Sequence, residues 1–199
     1  MPKETDKQET HDAILDAAER LLDRHGYSKM TMNDLAEEAK IGVGTTYLYF
    51  PSKADVALGV VERFNAHVLS VLDTLANGDV PPDQRLRDIL IARVMLRFDT
   101  LRLHRHPMEE FRSDIQGGIE ARRVEWIAAE TTIVAALLEE GQAAGIFGAA
   151  DIPAAAETVI RATFCFMPKC LTLNDFAFPD QVRQKTERLA DLLVRGLRP

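Results

Sequence analysis

The sequence predicts an all-α fold of about nine helices, in which a small three-helix module precedes a larger helical bundle. Three observations predict it: apolar residues recur at helical spacing through most of the chain, sustained apolar-polar alternation is absent, and β-rich runs are few. With 199 residues, 46% of them hydrophobic, the chain is long enough to bury a core as one medium domain or as a small domain fused to a larger one.

Helix 1 is expected from about Thr10 to His25, because Ile14, Ala18, Leu21 and Leu22 share a face and Gly26 supplies a stop. Thr31-Met32-Asn33-Asp34 is a variant capping box that opens helix 2, and a glycine turn at Ile41-Gly42 leads into a short third helix, Val43 to Tyr49, ended by Pro51. Ser52 is placed to cap a long fourth helix carrying Val56, Val60, Phe64, Val68, Val71 and Leu75, which ends at Asn77-Gly78 before Pro81-Pro82. A fifth helix holds Leu86, Ile89, Leu90, Val94 and Leu101 as far as His104-Arg105-His106-Pro107. A short sixth is expected to stop at Gly117-Gly118, and a seventh to run from Ile119 to about Ala144 with the single tryptophan, Trp126. The eighth, about Pro153 to Leu173 and kinked at Pro168, and the ninth, about Pro179 to Leu197, read as apolar on most sides. Two such terminal helices exceed what one small core can cover, which predicts a homodimer joined through them.

Composition narrows the classes. No window approaches the roughly 18 consecutive apolar residues of a membrane-spanning helix, and Met1 to Thr10 is polar and acidic, so the reading is a cytoplasmic protein with no membrane partner. Cys165 and Cys170 are too few for a disulfide framework and are expected to be buried and inert. The chain has no His-Glu-x-x-His, no Gly-x-Ser-x-Gly and no phosphate-binding glycine loop, so no enzyme, cofactor or metal is expected. His104 and His106 lack a defined third ligand and read as solvated loop histidines.

Two helices joined by a tight turn form a helix-turn-helix, whose second helix enters the DNA major groove while flanking groups hold phosphates. The net charge of -7 is unusual for a nucleic-acid binder, and residues 1–53 themselves carry seven basic against ten acidic side chains. The stretch from Lys40 to Lys53, however, contains no acid. Its residues, with those before it, run Met30-Thr31-Met32-Asn33-Asp34-Leu35-Ala36-Glu37-Glu38-Ala39, then Ile41-Gly42-Val43-Gly44-Thr45-Thr46-Tyr47-Leu48-Tyr49-Phe50, then Ser52-Lys53. Over about Thr10 to Arg63 this closely resembles the signature of the TetR/AcrR family of transcriptional regulators.

The resemblance implies residues 1–53 as a DNA-binding domain and 54–199 as a ligand-binding and dimerising domain. It further implies a repressor released from a palindromic double-stranded operator by a small-molecule effector of unknown identity. Carried over by position, Thr31 would meet a phosphate, Thr45, Tyr47 and Tyr49 would reach phosphates and bases, and Lys53 would neutralise a phosphate. Gly44 would let the backbone approach DNA, and Thr46 belongs to the same recognition helix. Gly42, Val43 and Leu48 stand where the family often has polar residues, so apolar contact with thymine methyls through Val43 or Leu48 is expected instead.

In the body, Arg93 and Arg97 interrupt an apolar stripe. They could bind an anionic ligand or pair with acidic residues on a neighbouring helix. Trp126, Phe98, Met95, Met108, Phe164, Phe166 and Met167 could line an apolar pocket or simply a core. The ligand candidates are therefore Arg93, Arg97, His104, Trp126 and Phe164. The competing classes are a helical dimeric scaffold that binds only protein and, further off, a small all-α enzyme.

Overall fold

The computed structural model describes the backbone of residues 4–103, 105–167 and 170–199, and their side chains except at 4–6, 103, 105–113, 173 and 174. Among the described residues there is no strand and there are nine α-helices. They are α1 (Glu4–His25), α2 (Met32–Glu38), α3 (Val43–Tyr49), α4 (Lys53–Ala76), α5 (Pro82–Leu103), α6 (Arg105–Ala143), α7 (Ile152–Ala162), α8 (Leu173–Ala177) and α9 (Pro179–Gly196). A 3-10 turn, Thr163–Phe166, follows α7. The chain forms two compact units, Met1–Asn65 with His104–Arg122, and Ala66–Leu103 with Arg123–Pro199. No helix among the described residues is long and apolar enough to cross a membrane.

The first unit is built on α1, whose Ile14, Leu15, Ala18, Leu21 and Leu22 fall on one helical face and are buried. Met30, Met32, Leu35, Phe50, Val56, Ala57 and Ile115 complete that core. Each large side chain so buried contributes about 1.5–3 kcal/mol. Gly59 of α4 is needed for the fit, since a Cβ there would lie 2.9 Å from the Phe50 ring and 3.0 Å from Leu15.

Capping fixes the helix-turn-helix. The Thr31 hydroxyl accepts from the Asp34 N–H at 3.2 Å and the Asp34 carboxylate accepts from the Thr31 N–H at 3.0 Å, so the capping box is complete. Ser52 caps α4 in the same way, accepting from the Asp55 N–H at 3.2 Å. The turn itself differs from expectation. Gly42 has extended backbone and begins α3 without a side-chain cap, whereas Lys40 takes the left-handed conformation at φ 57°. The reason is the way α2 ends: the Ile41 N–H reaches back to the Ala36 carbonyl at 2.9 Å, and this closure puts the left-handed residue at 40.

Four other expectations are corrected. The sixth and seventh helices are one helix, α6, which runs through Gly117 and Gly118. A glycine stops a helix by going left-handed, as Gly26 and Gly145 do, and neither Gly117 nor Gly118 does. Gly118 serves packing, because a Cβ there would meet Leu58 of α4 at 2.6 Å. The eighth helix is likewise shorter than expected. It ends at Ala162, and Met167, the residue before Pro168, is extended at ψ 149°, as a residue preceding proline tends to be. Pro168, where a kink was expected, lies outside the described residues. Neither α7 nor α9 is apolar all round: Ala156, Val159 and Ile160 are buried on α7 while Ala154, Thr158 and Arg161 face solvent, and α9 buries Val182, Thr186, Ala190 and Val194. Finally, Cys165 and Cys170 are both exposed. Cys165 lies on the 3-10 turn Thr163–Phe166, where Thr163 is the buried residue, and Cys170 lies beyond that turn.

The second unit packs α5 against α9, with Leu86, Ile89, Leu90, Val94 and Phe98 of α5 fully buried. Phe98 stacks on Phe176 with ring centroids 5.4 Å apart.

Candidate nucleic-acid interface

Seven residues make α3, and the core decides which of them face out. Thr46 is wholly buried and Phe50, one turn on, is 6% exposed, so the opposite face carries Val43, Gly44, Tyr47 and Leu48. Leu48 is 84% exposed, and a Cβ built on Gly44 meets nothing within 4 Å. Thr45 and Tyr49 are half-buried at the edges of that face. Of the candidate residues on α3, Thr46 alone turns its side chain inward. The signal was present in the sequence, since Thr46 and Phe50 are four apart and therefore share a face.

Thr31 is exposed at the start of α2. Its backbone N–H is taken by Asp34 and its hydroxyl oxygen accepts from the Asp34 N–H, which leaves the hydroxyl hydrogen to donate outward. Lys53 opens α4, and its ammonium donates to the Tyr27 carbonyl at 3.0 Å while lying 4.2 Å from the centre of the Tyr27 ring. Tyr27 is 4% exposed, and its hydroxyl donates to the Asp114 carboxylate on α6 at 3.0 Å. Burial first, and then that bond, push the Tyr27 hydroxyl up to about 12, so it remains a donor at any physiological pH. Sequence reasoning missed Tyr27 and Asp114 because their pairing is long-range and leaves no local pattern.

The acidic balance of this unit is partly neutralised from within. Glu38 is held by Arg20 at 2.7 Å and by Arg24, and Arg63 holds Asp16 at 2.6 Å and Glu19 at 2.7 Å. Arg20 and then Arg24, bonded to it, hold the Glu38 carboxyl below the usual carboxylate range. Lys29 and Lys40 stand exposed.

The candidate ligand residues fall in the second unit, apart from His104, which lies outside the described residues. Arg93 donates to the Glu130 carboxylate at 2.7 Å and to the Thr163 hydroxyl, and Arg97 donates to the other Glu130 oxygen at 2.5 Å. Glu130 is 1% exposed. Phe164 offers its ring to Arg93 at 5.4 Å, so Arg93, Arg97 and Phe164 come together. Trp126 is half-buried one turn before Glu130 on α6. A groove of about 330 Å³ in the same unit is lined by Val71, Leu75, Asp88, Ile91, Ala92, Met95, Leu96, Asp99 and Arg183. Of the expected pocket residues it includes Met95. Among the described residues no three His, Cys, Asp or Glu side chains are grouped so as to hold a metal ion.

A short outward-facing helix, set by a tight turn behind a capped partner helix, defines the class of helix-turn-helix regulators. The model of the family "Bacterial regulatory proteins, tetR family" matches residues 14–60. The repressor KstR of Mycobacterium tuberculosis is 32% identical over 80 residues, a match that covers 40% of this chain and 36% of that protein. The chain thus matches little more than a third of the length of such curated relatives. A TetR-family regulator from Pectobacterium atrosepticum shares the fold at TM-score 0.74 and 17% identity, covering 98% of this chain and 97% of that one. The SmeT–triclosan complex does so at TM-score 0.62 and 18% identity, over 96% and 92%. Residues 14–60 therefore resemble the N-terminal module of the tetR family of bacterial regulatory proteins, and the chain shares the fold of solved TetR-family regulators.

Proposed function

We propose that this protein is a repressor that binds a near-palindromic operator as a homodimer and is released by a small-molecule effector. The observation that carries the reading is the outward face of α3, which no core residue covers and which ends beside a lysine fixed at Nζ. Residues 1–53 act as the DNA-binding domain and 54–199 as the sensing and dimerising domain. In this reading Val43, Thr45, Tyr47 and Leu48 meet base edges, with Val43 and Leu48 favouring thymine methyls. Gly44 admits the sugar-phosphate backbone, Thr31 and Tyr49 donate to phosphates, and Lys53 neutralises one. Thr46 packs beneath them and makes no contact of its own. The two subunits pair through α7 and α9, where Leu192 is 66% exposed, and this fixes the half-site centres about 34–36 Å or a multiple apart. Effector binding in the second unit weakens DNA binding by displacing α4, whose first residue is Lys53. The SmeT–triclosan complex supports a small molecule as the kind of effector.

Selection of bound fragments from genomic DNA, followed by titration of the best duplex, tests the reading. Lys53→Ala is expected to weaken binding to all sequences alike and to flatten the dependence of log K on log salt by about one unit. Changes at Val43 or Thr45 are expected to alter sequence preference instead. An unchanged affinity and salt slope for Lys53→Ala would remove the phosphate role.

A further inference from the structure

A lysine that binds phosphate from a solvated start pays in side-chain entropy, since its four-carbon stem must be frozen at the moment of contact. Lys53 already has a seat within the chain. Its ammonium is fixed twice by one residue, through the Tyr27 carbonyl at 3.0 Å and the Tyr27 ring at 4.2 Å. An ammonium has three hydrogens to donate, and the carbonyl takes one. Tyr27 is in turn held from both sides. Its ring belongs to the core of the first unit with Leu21, Leu22 and Met30, and its hydroxyl is bound by Asp114 of α6. Lys53, Tyr27 and Asp114 all lie within that unit.

We propose that Tyr27 is a positioning residue for the phosphate contact of Lys53, and that Asp114 sets Tyr27 from α6, so that α6 acts on the DNA-binding surface through these two side chains. The inference rests on Lys53 meeting a phosphate. Its physical basis is that a cation on a ring face is drawn by the ring's negative face, and a phenol that donates to a carboxylate carries a richer ring than one that does not. Asp114 thereby strengthens the seat as well as fixing its place. A shift of α6 that parts Asp114 from the hydroxyl loosens the seat without moving α3.

Anisotropy of a labelled mixed-sequence duplex, titrated with the full chain across a range of salt, reads the effect, because a phosphate contact acts on every sequence. Tyr27→Leu is expected to weaken binding about two- to five-fold, the worth of a partly exposed cation–ring contact. Because leucine can leave the core poorly filled, Tyr27→Phe is the second variant. It keeps the ring and the carbonyl, loses Asp114, and is expected to weaken binding less. Asp114→Asn keeps an acceptor for the hydroxyl and removes the charge, with the same direction expected. The deciding measurement is each substitution repeated in the Lys53→Ala background, where all three effects should vanish. The upfield ring-current shift of the Lys53 side-chain protons, read by NMR without DNA, should be present in the wild type and lost in Tyr27→Leu. Equal losses in both backgrounds, or no ring-current shift, overturn the positioning role and make Tyr27 a core residue. A loss from Lys53→Ala with none from Tyr27→Leu or Tyr27→Phe overturns the inference and leaves the DNA reading standing, whereas a chain that binds no duplex overturns both.

Discussion

Each unit contains a glutamate gripped by two arginines that stand four apart on another helix. In the first unit Glu38 of α2 holds Arg20 and Arg24 of α1, and in the second Glu130 of α6 holds Arg93 and Arg97 of α5. The layouts match, and the surroundings do not. Arg20 and Arg24 are half-exposed, so water and salt screen that clamp, whereas Arg93 and Glu130 are 2% and 1% exposed. In the core the desolvation of three charges opposes their attraction, and the set is tolerable only if every donor and acceptor is used. Thr163 and the Phe164 ring attend Arg93, and the Arg93 carbonyl accepts from Arg97 at 3.0 Å. Burial still pulls the Arg93 guanidinium below its ordinary pKa against the opposing pull of Glu130. One arrangement therefore has two meanings, a trim on the surface of the helix-turn-helix and a commitment in the core of the second unit.

The largest expected effect follows from that contrast. Glu130→Ala leaves two buried guanidiniums without their counter-charge and is expected to cost about 3–5 kcal/mol in urea unfolding. Replacing the whole set, Arg93→Met with Arg97→Met and Glu130→Leu, is expected to be neutral or to stabilise by about 1–4 kcal/mol, since the cluster's cost lies in its desolvation. A Glu130→Ala chain as stable as the wild type would break the comparison.

Two adjacent glycines sharpen the same point on a smaller scale. A Cβ at Gly118 meets Leu58 at 2.6 Å, while one at Gly117 meets nothing within 4 Å. Gly118→Ala is expected to destabilise by about 1–3 kcal/mol through overpacking, less the roughly 1 kcal/mol that alanine gains in a helix. Gly117→Ala keeps the gain without the clash and should stabilise by about 0.5–1 kcal/mol. Thermal unfolding of both variants reads the opposite signs, and the same sign in both would mean that α6 relaxes freely around position 118.

The sequence was most legible where one residue's own chemistry acts locally. Pro51 bounded α3, Thr31 with Asp34 announced the start of α2, and Ser52 announced α4. It was least legible where the answer depends on what packs opposite. Nothing in the local pattern of Gly117-Gly118 distinguishes a stop from a close approach by Leu58, and the open choice between a ligand and an acid for Arg93 and Arg97 needed the position of Glu130. At the nucleic-acid interface, the bounds of α3 and the position of Lys53 could be read from sequence order. The inward turn of Thr46 was legible from its spacing to Phe50, whereas the Tyr27 seat could not be read from order, because it is set by the core of the first unit.

Glu38 supplies the smallest effect and the cleanest check on sign. Its two arginines hold its folded pKa below the ordinary carboxylate value, Arg20 contributing most. A group with a depressed folded pKa adds stability that is present above its unfolded pKa, and that stability is lost as pH falls through the folded one. Glu38→Gln removes the charge at every pH. The variant should therefore unfold slightly earlier than the wild type at neutral pH, and the two curves should converge in acid as Glu38 itself is protonated. Added salt should shrink the neutral-pH gap, because the clamp faces solvent, and should leave the cost of Glu130→Ala nearly unchanged, because that cluster does not. Urea midpoints measured from neutral to acidic pH, at low and high salt, read all of this. A gap between wild type and Glu38→Gln that survives acid and salt alike would mean that the surface clamp does not act through screened charge, and that burial is not what separates the two clamps.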